Sequence, residues 1–404
     1  MFHIFDFFLT DELGHFYEYD ISLIKELQSR NIKTKLYVPL LSSILVLQNI
    51  KTTPLFRSLS KHYGITKFLP SFLGNVLSSL YENIIIFINL KSLDNNAFSK
   101  EESIFFPTIN HRQILSVIWW FLRIPKDQSP RLILLFHFEE NPSQRNCIFC
   151  PRIIYRIGFF ILEKYHNLNI IIATDSDELA HDYQLMTKRK VKTFPIPHIK
   201  ESQTHPKRIR SEPVISYLGE ARVEKGFHLL PEAIEQVLSS KERLRSFPLF
   251  FVQGVSHKQN DEGLVQKAQE KLKSLAKIHN NIKITERSLT GEEYHGFLSN
   301  ADILLLPYSQ KAYRSRTSGI FAEGMGQGKL MIIPEMTWMY KQILNFKGIA
   351  MSFEDGNPAS LADAIVRSIN YFDEMNCDIL TSSSKKWNAF HNPQKLVDML
   401  MDCD

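Results

Sequence analysis

The chain has 404 residues, 44% of them hydrophobic and 23% charged, with a formal net charge of +5 and a pI near 8.8. It is too long for one ordinary core and too apolar for disorder, so two folded domains are expected. The basic excess is mild, and its main run, Lys188-Arg189-Lys190-Val191-Lys192, reads as a solvated helix end; nucleic acid is not an expected partner, and an anionic membrane surface is the weaker alternative.

Residues 2–8 read as a buried apolar strand and 10–14 as a polar loop. Residues 16–28 read as a helix with Ile21, Ile24 and Leu27 on one face, and 33–38 as the next strand. Further strands are expected at 84–88, 132–137 and 170–173. The opening MFHIFDFF lacks the basic segment and clean apolar stretch of a signal peptide, and the apolar runs are short for membrane spans, so a cytoplasmic protein is expected. The helix around 114–122, with Trp119-Trp120, reads as a core helix, the alternative being one that rests on a membrane interface. Cys147 and Cys150 form a lone CxxC without histidines at ligand spacing, which favours reduced thiols over zinc.

Residues 200–213, poor in apolar side chains, read as a linker between a domain of 1–199 and a second of 214–380. Residues 381–404 would be a helical segment returning to the first domain. The second domain is expected to run through a strand at 214–218, a loop at 219–226 and a helix at 227–238. Strands at 249–252, 282–285, 303–306 and 330–333 follow, then helices at 358–371 and 393–401. This alternation predicts α/β architecture, two doubly wound Rossmann-like domains facing a central cleft, with ligand at the carboxyl ends of the strands.

Two loops of the second domain carry the chemistry. In YSQKAYRSRTSGIFAEGMGQGKLMIIP, beginning at Tyr308, a strand end leads through Ser318-Gly319 into a helix. Free backbone N–H groups and the helix dipole favour a phosphate there. Glu323, just inside that helix, would repel a phosphate and suits a ribose hydroxyl, so the segment suggests a nucleotide diphosphate sugar. Gly326 and Gly328 read as packing and termination residues. In the loop 219–226, Arg222 and Lys225 can both project toward a diphosphate and stabilise its growing charge, or they can be surface charges pairing with Glu220 and Glu224.

Together, GEARVEKGFHLLPEAI and, about a hundred residues later, SGIFAEGMGQGK resemble the C-terminal domain of the family-4-like retaining glycosyltransferases with the GT-B fold. Gly14-His15, His137 within FHFEEN, and Asp175-Ser176 after IIIAT resemble that family's first domain. The resemblance implies that Lys225 contacts the diphosphate, that Ser318 and Gly319 offer it N–H groups, and that Glu323 binds the ribose. It implies further that Glu286 and Arg287 line the base pocket, that Gly14 allows close approach of backbone to phosphate, and that His137 faces the transferred sugar. His137 can instead be structural; His15 can cap its helix or reach an acceptor; Asp175 reads as a helix cap in a box with Glu178.

The family commonly has arginine right after the first glycine of the 219–226 loop, where this chain has Glu220. Its paired glutamates, eight positions apart, would place the first at Ser315, so Arg314 or Arg316 would reshape the donor-sugar corner. The resemblance implies same-face transfer from a nucleotide sugar to a glycan, lipid or small-molecule hydroxyl. In that route the departing diphosphate accepts the acceptor's proton, with Lys225 and Arg222 in place of a metal. The rivals are a catalytically silent nucleotide-sugar or glycan-binding protein and a nucleotide-sugar epimerase of the same fold.

Overall fold

The computed structural model describes residues 1–10, 15–43, 52–57, 71–93, 98–138, 150–165, 168–197, 212–256, 263–374 and 378–402. The chain divides into two compact units, one of residues 1–199 with 393–404 and one of 200–392. Most of the expected linker falls outside the described residues, as do Gly14 and Cys147.

The first unit is built on seven parallel strands in the order β3-β2-β1-β4-β5-β6-β7. These are β1 (Phe2–Phe5), β2 (Thr34–Pro39), β3 (Thr52–Phe56), β4 (Ser103–Phe106), β5 (Arg131–Phe136), β6 (Ile170–Thr174) and β7 (Val191–Thr193). The central strands β1 and β4 are buried throughout, because helices cover both faces of the sheet. On one face lie α1 (His15–Ser29) and the C-terminal α14 (Pro393–Met401). Leu396, Val397 and Leu400 are buried with Ile21, Ile24 and Leu27, and the Arg30 guanidinium donates to Asp398 at 2.6 Å. On the other face are α2 (Ser71–Lys91), α3 (Ile114–Phe121), α4 (Cys150–Glu163) and α5 (Asp177–Thr187).

Residues 84–88 are not a strand. They lie inside α2, where Ile86 is buried while Ile84 and Ile88 point outward. A short unbroken apolar run carries no period that separates a buried strand from a helix with apolar side chains on both faces. The first strand also ends earlier than expected, at Phe5: the Asp6 N–H makes a last bond to the Tyr37 carbonyl at 3.0 Å, and its carboxylate then accepts N–H groups from Phe8 at 2.6 Å and Leu9 at 3.0 Å as the chain turns.

The second unit holds six parallel strands in the order β10-β9-β8-β11-β12-β13. They are β8 (Val214–Tyr217), β9 (Leu249–Gln253), β10 (Ile282–Thr285), β11 (Ile303–Leu305), β12 (Leu330–Pro334) and β13 (Ala350–Phe353). The helices are α6 (Leu230–Ser239), α7 (Leu264–Ile278), α8 (Gly291–Asn300), α9 (Gln310–Tyr313), α10 (Gly319–Gly326), α11 (Trp338–Phe346), α12 (Pro358–Glu374) and α13 (Asp378–Phe390). Trp387 of α13 meets Phe321 of α10 and Trp338 of α11 edge-on, with centroids 5.8 and 6.4 Å apart. Strand order reverses between β1 and β4 in the first unit and between β8 and β11 in the second. Such reversals are where open α/β sheets of this kind take a ligand, at the carboxyl ends of the strands.

At the second reversal the two loops touch. Gly226, with φ +67°, lies so close to the following loop that a β-carbon would sit 1.9 Å from the Pro307 carbonyl oxygen. Gly226→Ala is therefore predicted to destabilise the protein by about 2–4 kcal/mol, read from urea unfolding, through both the backbone conformation and the clash.

Candidate functional site

The loop after β8 is held from several sides. The Gly219 N–H donates to Gln253 Oε1 at 2.7 Å and the Ala221 N–H to the Val255 carbonyl at 2.7 Å. A short 3-10 turn over Val223–Lys225 then ends at Gly226. The Lys225 ammonium comes to rest 5.6 Å from the centre of the Tyr308 ring. Among the described residues it makes no ion pair. Burial, with Arg222 and Arg316 nearby, brings its midpoint down to about 8.

Gly219, with φ +97°, holds a backbone conformation that strains any residue with a side chain. A β-carbon would lie 2.9 Å from Lys225 Nζ and 2.8 Å from Ile320 Cδ1. The ammonium and the Ile320 side chain from the first turn of α10 thus converge on the place a Gly219 β-carbon would take. Ser318 caps α10, its Oγ accepting from the Phe321 N–H at 3.3 Å, so the cap leaves the N–H groups of Gly319 and Ile320 at the open end of the helix. Nothing lies within 4 Å of where a Gly319 β-carbon would be. Glu323, half-buried, is one turn further along the same helix.

Arg222 is placed differently from Lys225. Its Nε donates to Glu220 Oε2 at 2.6 Å, a second nitrogen reaches the same oxygen, and Nη1 is 3.4 Å from Glu224. Arg316 is 3.7 Å from that Glu224 oxygen and stacks over Tyr313. Ser315 is fully buried. The surface-pairing reading of the 219–226 loop thus holds for Arg222, which binds Glu220 and Glu224, and not for Lys225. Glu286 pairs with Lys273 at 2.8 Å, and Arg287 binds Glu293, which closes the capping box of α8. Both are solvent-exposed residues beyond the edge strand β10.

In the first unit, the carboxyl ends of β1, β4, β5 and β6 bring together residues that the sequence pattern does not join. His137 Nδ1 is 2.7 Å from Asp175 Oδ2, and Nε2 is 2.7 Å from the Pro107 carbonyl oxygen. Both partners are acceptors, an arrangement that the imidazolium satisfies at both nitrogens and a neutral ring at only one. Burial opposes that charge, but Asp175, the Pro107 carbonyl and Asp6 outweigh it and raise the midpoint. A ligand contact through His137 requires Nε2–H to exchange Pro107 for the ligand. Asp175 is not the cap of α5: Ser176 is, accepting from the Leu179 N–H at 3.2 Å, and the carboxylate of Asp175 turns to the histidine instead. His15 opens α1, and its side chain lies outside the described set.

Two further carboxyls lie beside this pair. Asp20, fully buried on the inner side of α1, meets Asp6, and burial followed by the Asp6 charge pushes its midpoint well above the usual carboxyl range. Burial raises the Asp6 midpoint too, but its two backbone N–H donors oppose the rise, so Asp20 is the carboxyl pushed further toward its neutral form. Asp6 lies inside the run 2–8 that reads as an apolar strand, and Asp20 is hidden by its place in an amphipathic helix. Gln253 and Tyr308, which hold Gly219 and face Lys225, carried no distinguishing motif.

No protein-family model matches this sequence, and no curated protein matches it. Solved structures do match in fold. A glycosyltransferase from Rickettsia africae is 14% identical with a TM-score of 0.66, covering 99% of this chain and 97% of its own. The Anabaena protein HepE, solved in complex with UDP, is 11% identical with a TM-score of 0.65, covering 100% and 99%. The N-terminal domain of a Candida albicans trehalose-6-phosphate phosphatase is 12% identical with a TM-score of 0.68, covering 99% and 96%. His137 is predicted to titrate above its ordinary value near 6.5 in NMR spectra, and Asp175→Asn to lower that midpoint as burial gains the upper hand. The contribution of a protonated His137 to stability should be full below about pH 6.5 and fade as pH rises through its raised midpoint. The chain has the fold of the two-domain, Rossmann-like GT-B proteins.

Proposed function

We propose that this protein is a retaining glycosyltransferase that moves a sugar from a nucleotide diphosphate to an acceptor hydroxyl. The observation that carries the reading is the Lys225 ammonium, desolvated, without an ion pair among the described residues, and packed with the open first turn of α10 around Gly219. A desolvated cation beside helix N–H groups is suited to a diphosphate and becomes more favourable as negative charge grows there. Glu323 then binds the ribose, and the second unit holds the donor. The UDP in the Anabaena structure supports a nucleotide donor for this fold. Retention rests on the resemblance of the two second-unit motifs. In that route the acceptor oxygen bonds to the anomeric carbon as the carbon–oxygen bond to the diphosphate breaks, and the departing phosphate oxygen takes the acceptor's proton.

The Glu220–Arg222–Glu224 cluster favours one other reading, a nucleotide-sugar-binding protein without turnover, because it neutralises one of the two expected cations. The two differ in product: transfer or donor hydrolysis against binding alone.

Lys225→Ala is predicted to lower kcat/KM for transfer by about a hundredfold or more while the protein stays folded. Near-normal transfer by that variant would remove Lys225 from the reaction. Because Lys225 loses its charge near pH 8, nucleotide affinity measured by calorimetry should decline above that pH, and Lys225→Arg should abolish the decline. Glu323→Ala should weaken nucleotide binding by about tenfold even without acceptor.

A further inference from the structure

The outward side of the α2–α4 layer is apolar where a water-facing helix surface is usually polar. On α2, Leu80, Ile84 and Ile88 repeat at helical spacing, with Ile84 57% and Ile88 56% exposed. Trp119 of α3 is 65% exposed and packs on Phe87 of α2 at 5.6 Å, while the adjacent Trp120 is buried in the core. On α4, Ile153, Ile157 and Phe160 form a second exposed stripe, opposite the buried Ile154, Tyr155 and Phe159. The three helices pack as one layer on one face of the first sheet. Exposed large apolar side chains gathered on three adjacent helices mark a contact surface.

Among the described residues, cations edge this surface. Lys91, Arg123, Arg152, Arg156 and Lys164 are exposed at its margins, with Arg123 over the Phe87 ring at 4.9 Å and Lys164 over the Phe160 ring at 4.6 Å. The only acids in the three helices are Glu82, buried and bonded to Arg112 at 2.7 Å, and Glu163, 3.8 Å from Lys188. Among the described residues no helix is long and apolar enough to cross a membrane.

We propose that this face docks on the surface of an anionic lipid bilayer, with Ile84, Trp119 and Phe160 entering the headgroup boundary and the arginines and lysines meeting lipid phosphates. An apolar stripe edged by Lys and Arg, with an exposed tryptophan, is the pattern of an interfacial surface. A second copy of the chain is disfavoured as occupant, since an isologous contact would set these cations against one another. The proposal is independent of the transfer reaction and needs no substrate to test.

The experiment is flotation of the full chain with phosphatidylcholine–phosphatidylglycerol vesicles and with vesicles of phosphatidylcholine alone. The chain should float with the former, not the latter, and be released by salt. Trp119→Ser with Phe160→Ser, and separately Arg152→Gln with Arg156→Gln, should each weaken the association by about tenfold. No flotation with anionic vesicles, equal flotation with both kinds, or full binding by the charge variant would overturn the proposal. So would a concentration-dependent dimer that the Trp119 and Phe160 substitutions dissolve.

Discussion

The second unit depends on how closely its two switch-point loops can approach. Gly226 rests against the Pro307 carbonyl, closer than any side chain allows, and the Lys225 and Ile320 side chains both close on Gly219. These two glycines set the position of everything between them. With bulkier residues the 3-10 turn would lift away, the ammonium would leave the Tyr308 ring, and α10 would lose its contact with the loop. Tight packing desolvates Lys225 enough to lower its midpoint, and the same desolvation strengthens its attraction for any anion that enters.

The first unit answers the same reversal of strand order with a different electrostatic arrangement. Four ionisable groups gather at the carboxyl ends of β1, β5 and β6 and on α1. Their burial is tolerable because each charge is matched. His137 is bound at both nitrogens, Asp175 faces it, Asp6 takes two backbone N–H groups, and Asp20 is pushed toward its neutral form. A buried charge without such partners would change its protonation state. Asp175, a candidate helix cap by sequence alone, is instead the residue that fixes the histidine's charge and orientation.

Much of this was legible in the sequence. Strands flanked by turn residues, such as 282–285, fall where the pattern places them, and 393–401 is a helix. The loops at 219–226 and 308–318 stand after strands, as the sequence pattern indicates. Less was legible where a side chain's partner is distant in the chain: Gln253 with Gly219, or Asp6 with Asp20. Such pairs follow from the register of the sheet and leave no local pattern. The misreading of 84–88 has a specific cause. Those isoleucines hide the helical period because the outer face of α2 is apolar too, so the segment that misled the periodicity is the segment now assigned to a bilayer surface.

The central claim is that the loop after β8 and the first turn of α10 receive a nucleotide diphosphate. A thermal-shift comparison of UDP-, GDP-, ADP- and TDP-sugars tests it directly, because a ligand bound only by the native state raises the melting temperature. The account predicts that at least one donor stabilises the native chain and that Lys225→Ala abolishes the shift. Absence of a shift with every donor, or an undiminished shift in the Lys225 variant, would contradict it.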